Sequence, residues 1–178
     1  MPKIRRLPTD LANQIAAGEV VERPASVVKE LVENAIDAGA RRITIEIEQA
    51  GLTRIRVTDD GEGMDEADAR LSLERHATSK IARIEDLSSI HTFGFRGEAL
   101  PSIASVSKLS LVTRRHDRDE AIELVVEGGG APVVRPIGAA VGTSVSVDEL
   151  FFLGKTLYAA THGQGLFRIK LMSVPAPM

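Results

Sequence analysis

The sequence predicts an α+β fold, a two-layer sandwich in which helices lie on one face of a mainly antiparallel, mixed sheet. Three observations predict it. An amphipathic helical stretch runs from Pro24 to Gly39. Strand-period alternation follows at once, over Ile43–Glu48 and again over Arg54–Thr58, across the turn Ala50-Gly51. After a polar, partly helical middle, further short strands come between turn signals at Lys108–Thr113, Ala121–Val126 and Thr143–Val147, with a weaker one at Val133-Val134.

Size and composition fit such a domain. The 178 residues are 43% hydrophobic and 26% charged, enough for a proper core. No apolar run approaches the length of a membrane span, and the start, Met1-Pro2-Lys3-Ile4-Arg5-Arg6, has no apolar signal core. The absence of cysteine excludes disulfides and thiolate metal sites and fits a reducing compartment, so the expected location is cytoplasmic. A formal net charge of −3 gives no global pull towards nucleic acid.

Thr9–Ala17 reads as a short helix with Thr9 as N-cap and Gly18 as stop. In the helix Pro24–Gly39, proline suits a first helical position and glycine the stop. On a helical wheel Val27, Ala38, Leu31, Ala35, Val28, Val32 and Ile36 fill one apolar half, with Lys29 and Glu33 opposite. Glu30 and Asn34 share a line at the rim of that half, Asn34 only about 20° from Val27. They read either as ordinary boundary polars or as an oxygen pair able to hold magnesium and orient a water. Asp65 caps a helix reaching to about Glu74, a short helix is expected near Glu85–Ser88, and Glu98–Ala104 reads as a helix with Pro101 in its first turn.

Three other stretches carry chemistry. Asp59-x-Gly61-x-Gly63 ends the second strand, where a carboxylate could take an exocyclic amine and glycines admit a flat ring. Gly94-Phe95-Arg96-Gly97-Glu98-Ala99-Leu100 is a glycine-flanked loop opening into a helix, a place where free N–H groups meet anions. Gly142-Thr143 sets a hydroxyl at the start of a strand. Gly154-Lys155-Thr156 imitates the end of a P-loop, but Glu149 stands where that motif needs glycine. Each stretch alone also has a plain reading as turn, loop or strand entry. Four histidines show no metal-ligand spacing, His76 reads as a loop histidine, and Arg114, Arg115 and Arg118 with His116 read as a solvated turn.

Taken in order, Glu30/Asn34, Asp59-x-Gly61-x-Gly63, Gly94–Leu100 and Gly142-Thr143 resemble the four-motif ATP site of the gyrase, chaperone, histidine-kinase and MutL superfamily. The strings Leu11–Pro24, Lys29–Asn34, Asp37–Ala40, Arg75–Lys80 and Gly94–Leu100 narrow the resemblance to the MutL mismatch-repair ATPases, from about Ile4 to Phe152. The resemblance implies a Bergerat-type ATP-binding fold and magnesium-dependent ATP hydrolysis. It implies Glu30 as the general base and Asn34 as the Mg2+ ligand. Asp59 would take the adenine amine, with Gly63 and Thr143 beside the base and Ala38 and Met64 among the nucleotide contacts. Thr78, Ser79 and Lys80 would form a mobile lid, and Gly94, Phe95, Arg96, Gly97, Glu98, Ala99 and Leu100 would wrap the phosphates. A mismatch-recognition protein, a repair endonuclease and dimerisation on ATP binding would follow, with DNA contact a property of longer relatives.

After Phe152 the resemblance stops. Residues 153–178 read as a separate tail built on a hairpin, Thr156–Ala160 and Leu166–Lys170, so 1–152 is taken as the ATP-binding domain of an apparently truncated member. By the resemblance, a second domain supplies a lysine to the γ-phosphate, so weak turnover is expected from this chain. Two other readings remain open. One is a superfamily member with other business, such as a topoisomerase subunit or kinase, which the Leu11–Pro24 and Gly94–Leu100 strings oppose. The other is a non-catalytic nucleotide-binding or interaction fragment.

Overall fold

Pro24 opens helix α1, Pro24–Asp37, where its missing N–H costs nothing. The helix closes through Ala38 and Gly39, whose N–H groups bond back to the Asn34 and Ile36 carbonyls, with Gly39 in the left-handed region as expected of a stop. This computed structural model describes residue 17, residues 21–77 and 97–150, and the backbone of 156–160 and 166–170. The expected helices Thr9–Ala17 (all but residue 17) and Glu85–Ser88 lie outside the described residues.

Strands β1 (Ile43–Glu48) and β2 (Arg54–Asp59) form the expected hairpin. Helix α2 (Glu66–Leu71) is capped by Asp65, whose carboxylate accepts from the Asp68 N–H at 3.0 Å. Helix α3 (Ala99–Ser105) precedes β3 (Lys108–Arg114), β4 (Ala121–Glu127), β5 (Val133–Ile137) and β6 (Gly142–Asp148). The first six strands make one sheet in the order β1-β2-β6-β3-β4-β5, antiparallel at every described pair. Strands β7 (Thr156–Ala160) and β8 (Leu166–Lys170) pair with each other in a separate sheet, over the bounds the sequence predicts.

Register explains the core. Two cross-strand rows, Ile45–Val57–Val145–Leu111–Leu124 and Ile47–Ile55–Val147–Leu109–Val126, lie on the face the helices cover, because side chains opposite one another in a sheet share a face. Val27 and Leu31 of α1, Ala69 of α2 and Ile103 of α3 bury against them. The other face is polar, with Glu48–Arg54–Asp148, Glu46–Arg56 and Lys108–Glu127 paired across strands and Arg135 on Glu123.

The amphipathic readings need one adjustment. The apolar half-wheel predicts Ile36 inside, and β1 reads as half-buried, yet Ile36, Ile45 and Ile47 are 46%, 44% and 53% exposed. Helix α1 lies chiefly over β2, so the outer half of the edge strand β1 extends past its cover. The buried face of α1 therefore centres on Val27, Leu31 and Ala35, nearer the line of Glu30 and Asn34 than the half-wheel places it.

Candidate functional site

A third cross-strand row lies on the same covered face, and its chemistry changes in the middle. Ile43 and Ile122 flank Asp59, Thr143 and Thr113, one polar residue from each of β2, β6 and β3. The apolar layer thus opens into carboxylate and hydroxyls at one end of the three central strands. Thr113 is only 1% exposed. Its hydroxyl oxygen accepts the Met64 N–H at 2.8 Å and stands 3.1 Å from the Thr143 hydroxyl and 3.2 Å from the Gly142 carbonyl. Asp59 accepts the Gly61 N–H at 2.8 Å. Burial pushes its carboxyl above the ordinary aspartate range, opposed by backbone N–H groups of Gly61 and Thr143, while the charge of Asp60 adds to the rise.

Loop backbone packs on this row without clearance. Gly63 has φ +68°, and a Cβ on it would overlap the Arg114 carbonyl; a Cβ on Gly142, at φ +115°, would overlap the carbonyl of Asp59. Glycine is required at both because β2, β6 and the loop beyond β2 approach through their main chains.

The end of α1 is tied into the same place. The Glu62 N–H donates to the Ala38 carbonyl at 3.0 Å, and Gly61 fits between Ala38 and the Asp59 carboxylate. The Asp60 carboxylate accepts the Arg41 and Arg42 N–H groups, both at 2.7 Å, bracing the α1–β1 turn. These bonds hold the Asp60 carboxyl below its usual range, that of Arg42 first. Of the residues predicted from sequence, Ala38, Asp59, Gly63, Met64 and Thr143 are therefore brought together.

Glu30 and Asn34 stand two turns and one turn back from Ala38, so about 12 Å of helix runs from Glu30 to the loop. The Glu30 side chain is 26% exposed, neither buried nor free in solvent. Lys29 Nζ reaches both Glu33 at 2.9 Å and Glu30 at 3.3 Å. Those contacts, Glu33 first, raise the Lys29 pKa. Asn34 supplies an amide oxygen and Glu30 a carboxylate on the same line. This hard-oxygen set fits Mg2+ completed by phosphate oxygens and water, and does not fit a softer metal. Among the described residues no group of three His, Asp or Glu side chains converges as a metal cage.

Gly97 packs against the Ala77 carbonyl, and His76 Nδ1 meets the Glu98 carboxylate at 3.1 Å. Residues 77 and 97 thus come together at the two ends of the stretch between them. Ala99 and Leu100 begin α3, Leu100 partly buried against the core, and α3 touches α1. Thr78, Ser79, Lys80, Gly94, Phe95 and Arg96 lie outside the described residues.

Two residues escaped the sequence reading. Asp60 was spelled as one run with Asp59, and only the structure separates the half-buried carboxylate from the exposed brace. Thr113 was the last residue of a strand. The available signal was its position in the alternation Leu109, Leu111, Thr113, a hydroxyl where the covered face calls for an apolar side chain. In the basic turn, Arg115 pairs with Asp117 at 3.0 Å and with Asp65 at 3.3 Å.

Comparison with known proteins places the chain in a family. Residues 22–128, more than half of the chain, match the family described as histidine kinase-, DNA gyrase B- and HSP90-like ATPase. A DNA mismatch repair protein MutL from Streptococcus thermophilus (strain ATCC BAA-491 / LMD-9) is 60% identical over 152 residues, 85% of this chain and 24% of the relative. MutL from Citrifermentans bemidjiense is 61% identical over 150 residues, 84% of this chain and 23% of the relative. The chain thus spans about a quarter of the length of these relatives. Among solved structures, the N-terminal domain of a DNA repair protein matches with a TM-score of 0.65 and 33% identity, over 79% of this chain and 39% of that one. The ATPase domain of Aquifex aeolicus MutL complexed with ADP matches with a TM-score of 0.54 and 38% identity, over 75% of this chain and 45% of that one. With a family match over more than half of its length, the chain belongs to the histidine kinase-, DNA gyrase B- and HSP90-like ATPase family, and is similar to the MutL mismatch-repair proteins.

Proposed function

We propose that this chain binds magnesium-ATP and serves as the nucleotide-responsive domain of a DNA mismatch-repair protein, with residues 1–152 as the ATP-binding domain and 153–178 as a distinct tail. The observation that carries the reading is the polar row Asp59–Thr143–Thr113 at the end of an otherwise apolar face, joined through Glu62 and Ala38 to the helix that bears Asn34 and Glu30. A half-buried carboxylate beside loop glycines suits a flat base with an exocyclic amine, and a line of oxygen donors leading away suits the phosphate end.

Each residue has a task in this reading. Asp59 accepts the adenine amine, while Gly63, Met64 and Thr143 form the walls beside the base. Ala38, held by Glu62, fixes the end of α1 against that wall. Asn34 would hold the magnesium ion, which when bound neutralises phosphate charge. Glu30 takes the proton of the attacking water, and Lys29, shared with Glu33, keeps the Glu30 carboxylate oriented. Gly94–Leu100 wraps the phosphates and Thr78–Lys80 closes over the nucleotide. Closure would report the nucleotide state to a mismatch-recognition protein and a repair endonuclease, and favour dimerisation.

Calorimetric titration of a non-hydrolysable ATP analogue with magnesium tests the reading. Wild type binds, and Asp59→Asn, which turns part of the acceptor into a donor facing the adenine amine, loses about tenfold or more in affinity. Equal binding by the two proteins would overturn the adenine assignment.

A further inference from the structure

The Thr113 hydroxyl touches two of the residues assigned to the base pocket, Met64 and Thr143, and the mechanism above gives it no task. A hydroxyl has one proton and two lone pairs. The Met64 N–H, at 2.8 Å, takes one lone pair outright, because an amide can only donate. The single Thr113 proton can then go to the Gly142 carbonyl at 3.2 Å or to the Thr143 oxygen at 3.1 Å. The choice decides what Thr143 can offer. If Thr113 donates to Gly142, Thr143 must spend its own proton on Thr113, and only lone pairs face the pocket. If Thr113 donates to Thr143, the Thr143 proton is free.

We propose that Thr113 is a positioning residue for base recognition: by donating to Thr143 while accepting from Met64, it makes Thr143 a donor and holds the wall beside the base in register. This rests on the ATP reading and deepens it. Thr143 is the direct cross-strand neighbour of Asp59, so the pair presents an acceptor and a donor side by side on one face. Adenine offers the matching pair on one edge, the amine donor next to the N1 acceptor. Thr113 is buried and on the far side of Thr143, in the same row, so it acts through Thr143 and the Met64 backbone.

The test compares two ligands on the full 178-residue chain, a non-hydrolysable ATP analogue and its 1-deaza counterpart, in which N1 is replaced by C–H. Wild type prefers the ATP analogue by about tenfold, since a site built to hydrogen-bond a group discriminates against the ligand lacking it. Thr113→Val keeps the shape but removes the bond that orients the Thr143 hydroxyl and ties it to the Met64 N–H, so it loses most of that preference, while affinity for the 1-deaza ligand changes by less than about twofold. Thr113→Ser restores it. Equal weakening for both ligands would show a merely structural threonine and overturn the proposal. Failure of Asp59→Asn to weaken the ATP analogue would instead overturn the ATP reading itself, so the two failures are distinct. If Thr113→Val does not fold, hydroxyl-proton NMR of wild type decides. A slowly exchanging Thr113 proton, with a Thr143 proton that shifts with the ATP analogue and not with the 1-deaza ligand, supports the assignment. A Thr113 proton exchanging at the rate of a free hydroxyl overturns it.

Discussion

Folding and binding ask opposite things of Asp59. Burial raises its carboxyl above the range it has in an unfolded chain, so the folded protein holds the proton more tightly. The stabilisation from that proton is complete below the unfolded pKa and is lost as pH rises through the raised folded value. At neutral pH the ionised group therefore costs stability that Asp59→Asn avoids. That variant should melt above wild type at pH 7, with the gap closing below about pH 3.9, in thermal scans followed by circular dichroism. Binding runs the other way, because only the carboxylate is a full acceptor for an exocyclic amine. Affinity for the ATP analogue should fall as pH drops through the raised value, and a flat profile there would contradict the role. Asp60, one residue on, carries the reverse sign. Its stabilising bonds to Arg42 and Arg41 persist above the unfolded carboxylate range and are lost as pH falls through its depressed value. Asp60→Ala should accordingly lower the melting point at pH 7 and converge with wild type in acid.

At the scale of elements, the polar row is framed by junctions. The loop after β2 touches β3 through Gly63 and Arg114, β6 touches β2 through Gly142 and Asp59, and α1 touches the loop through Ala38 and Glu62. Each junction is main chain against main chain, and at the first two the contact leaves no room for a Cβ on the glycine. Gly63→Ala combines an overlap with the Arg114 carbonyl and a backbone in the left-handed region. It should destabilise by about 1–3 kcal/mol in urea unfolding with an unchanged slope. A loss of only a few tenths would mean that the loop relaxes away from β3. These junctions also show what was legible in advance. The Asp-x-Gly-x-Gly spelling announced a turn with a carboxylate, and alternation announced the strands on either side. Neither shows that β6 inserts between β2 and β3, since strand order is decided by which apolar faces bury together across long separations in the chain. The alternation could flag Thr113 as a hydroxyl on the covered face, but only that insertion placed it beside Thr143.

For the whole molecule, the helix-covered face divides the labour. Two rows of Ile, Val and Leu hold the layers together, and the third row, at their end, is polar at its centre. The predicted chemistry spans α1 from that row to Glu30. Glu30→Gln should leave affinity for magnesium-ATP within about threefold while lowering single-turnover hydrolysis of labelled ATP by about 10²–10⁴-fold. Unchanged hydrolysis would remove Glu30 from the mechanism, and lost binding would make it a ligand contact.

The sequence by itself determined the α+β class, the bounds of the central helix and most strands, and the identity of the oxygen and glycine positions, because these follow from local periodicity and from residue chemistry. Only the tertiary structure decided which of them meet. It rotated the buried face of α1 towards Glu30 and Asn34, left Ile45 and Ile47 uncovered at the sheet edge, and separated Asp59 from Asp60. It also aligned Asp59, Thr143 and Thr113 in one row. Those outcomes depend on strand order and helix placement, which are set by contacts between residues far apart in the chain and leave no trace in any single window of it.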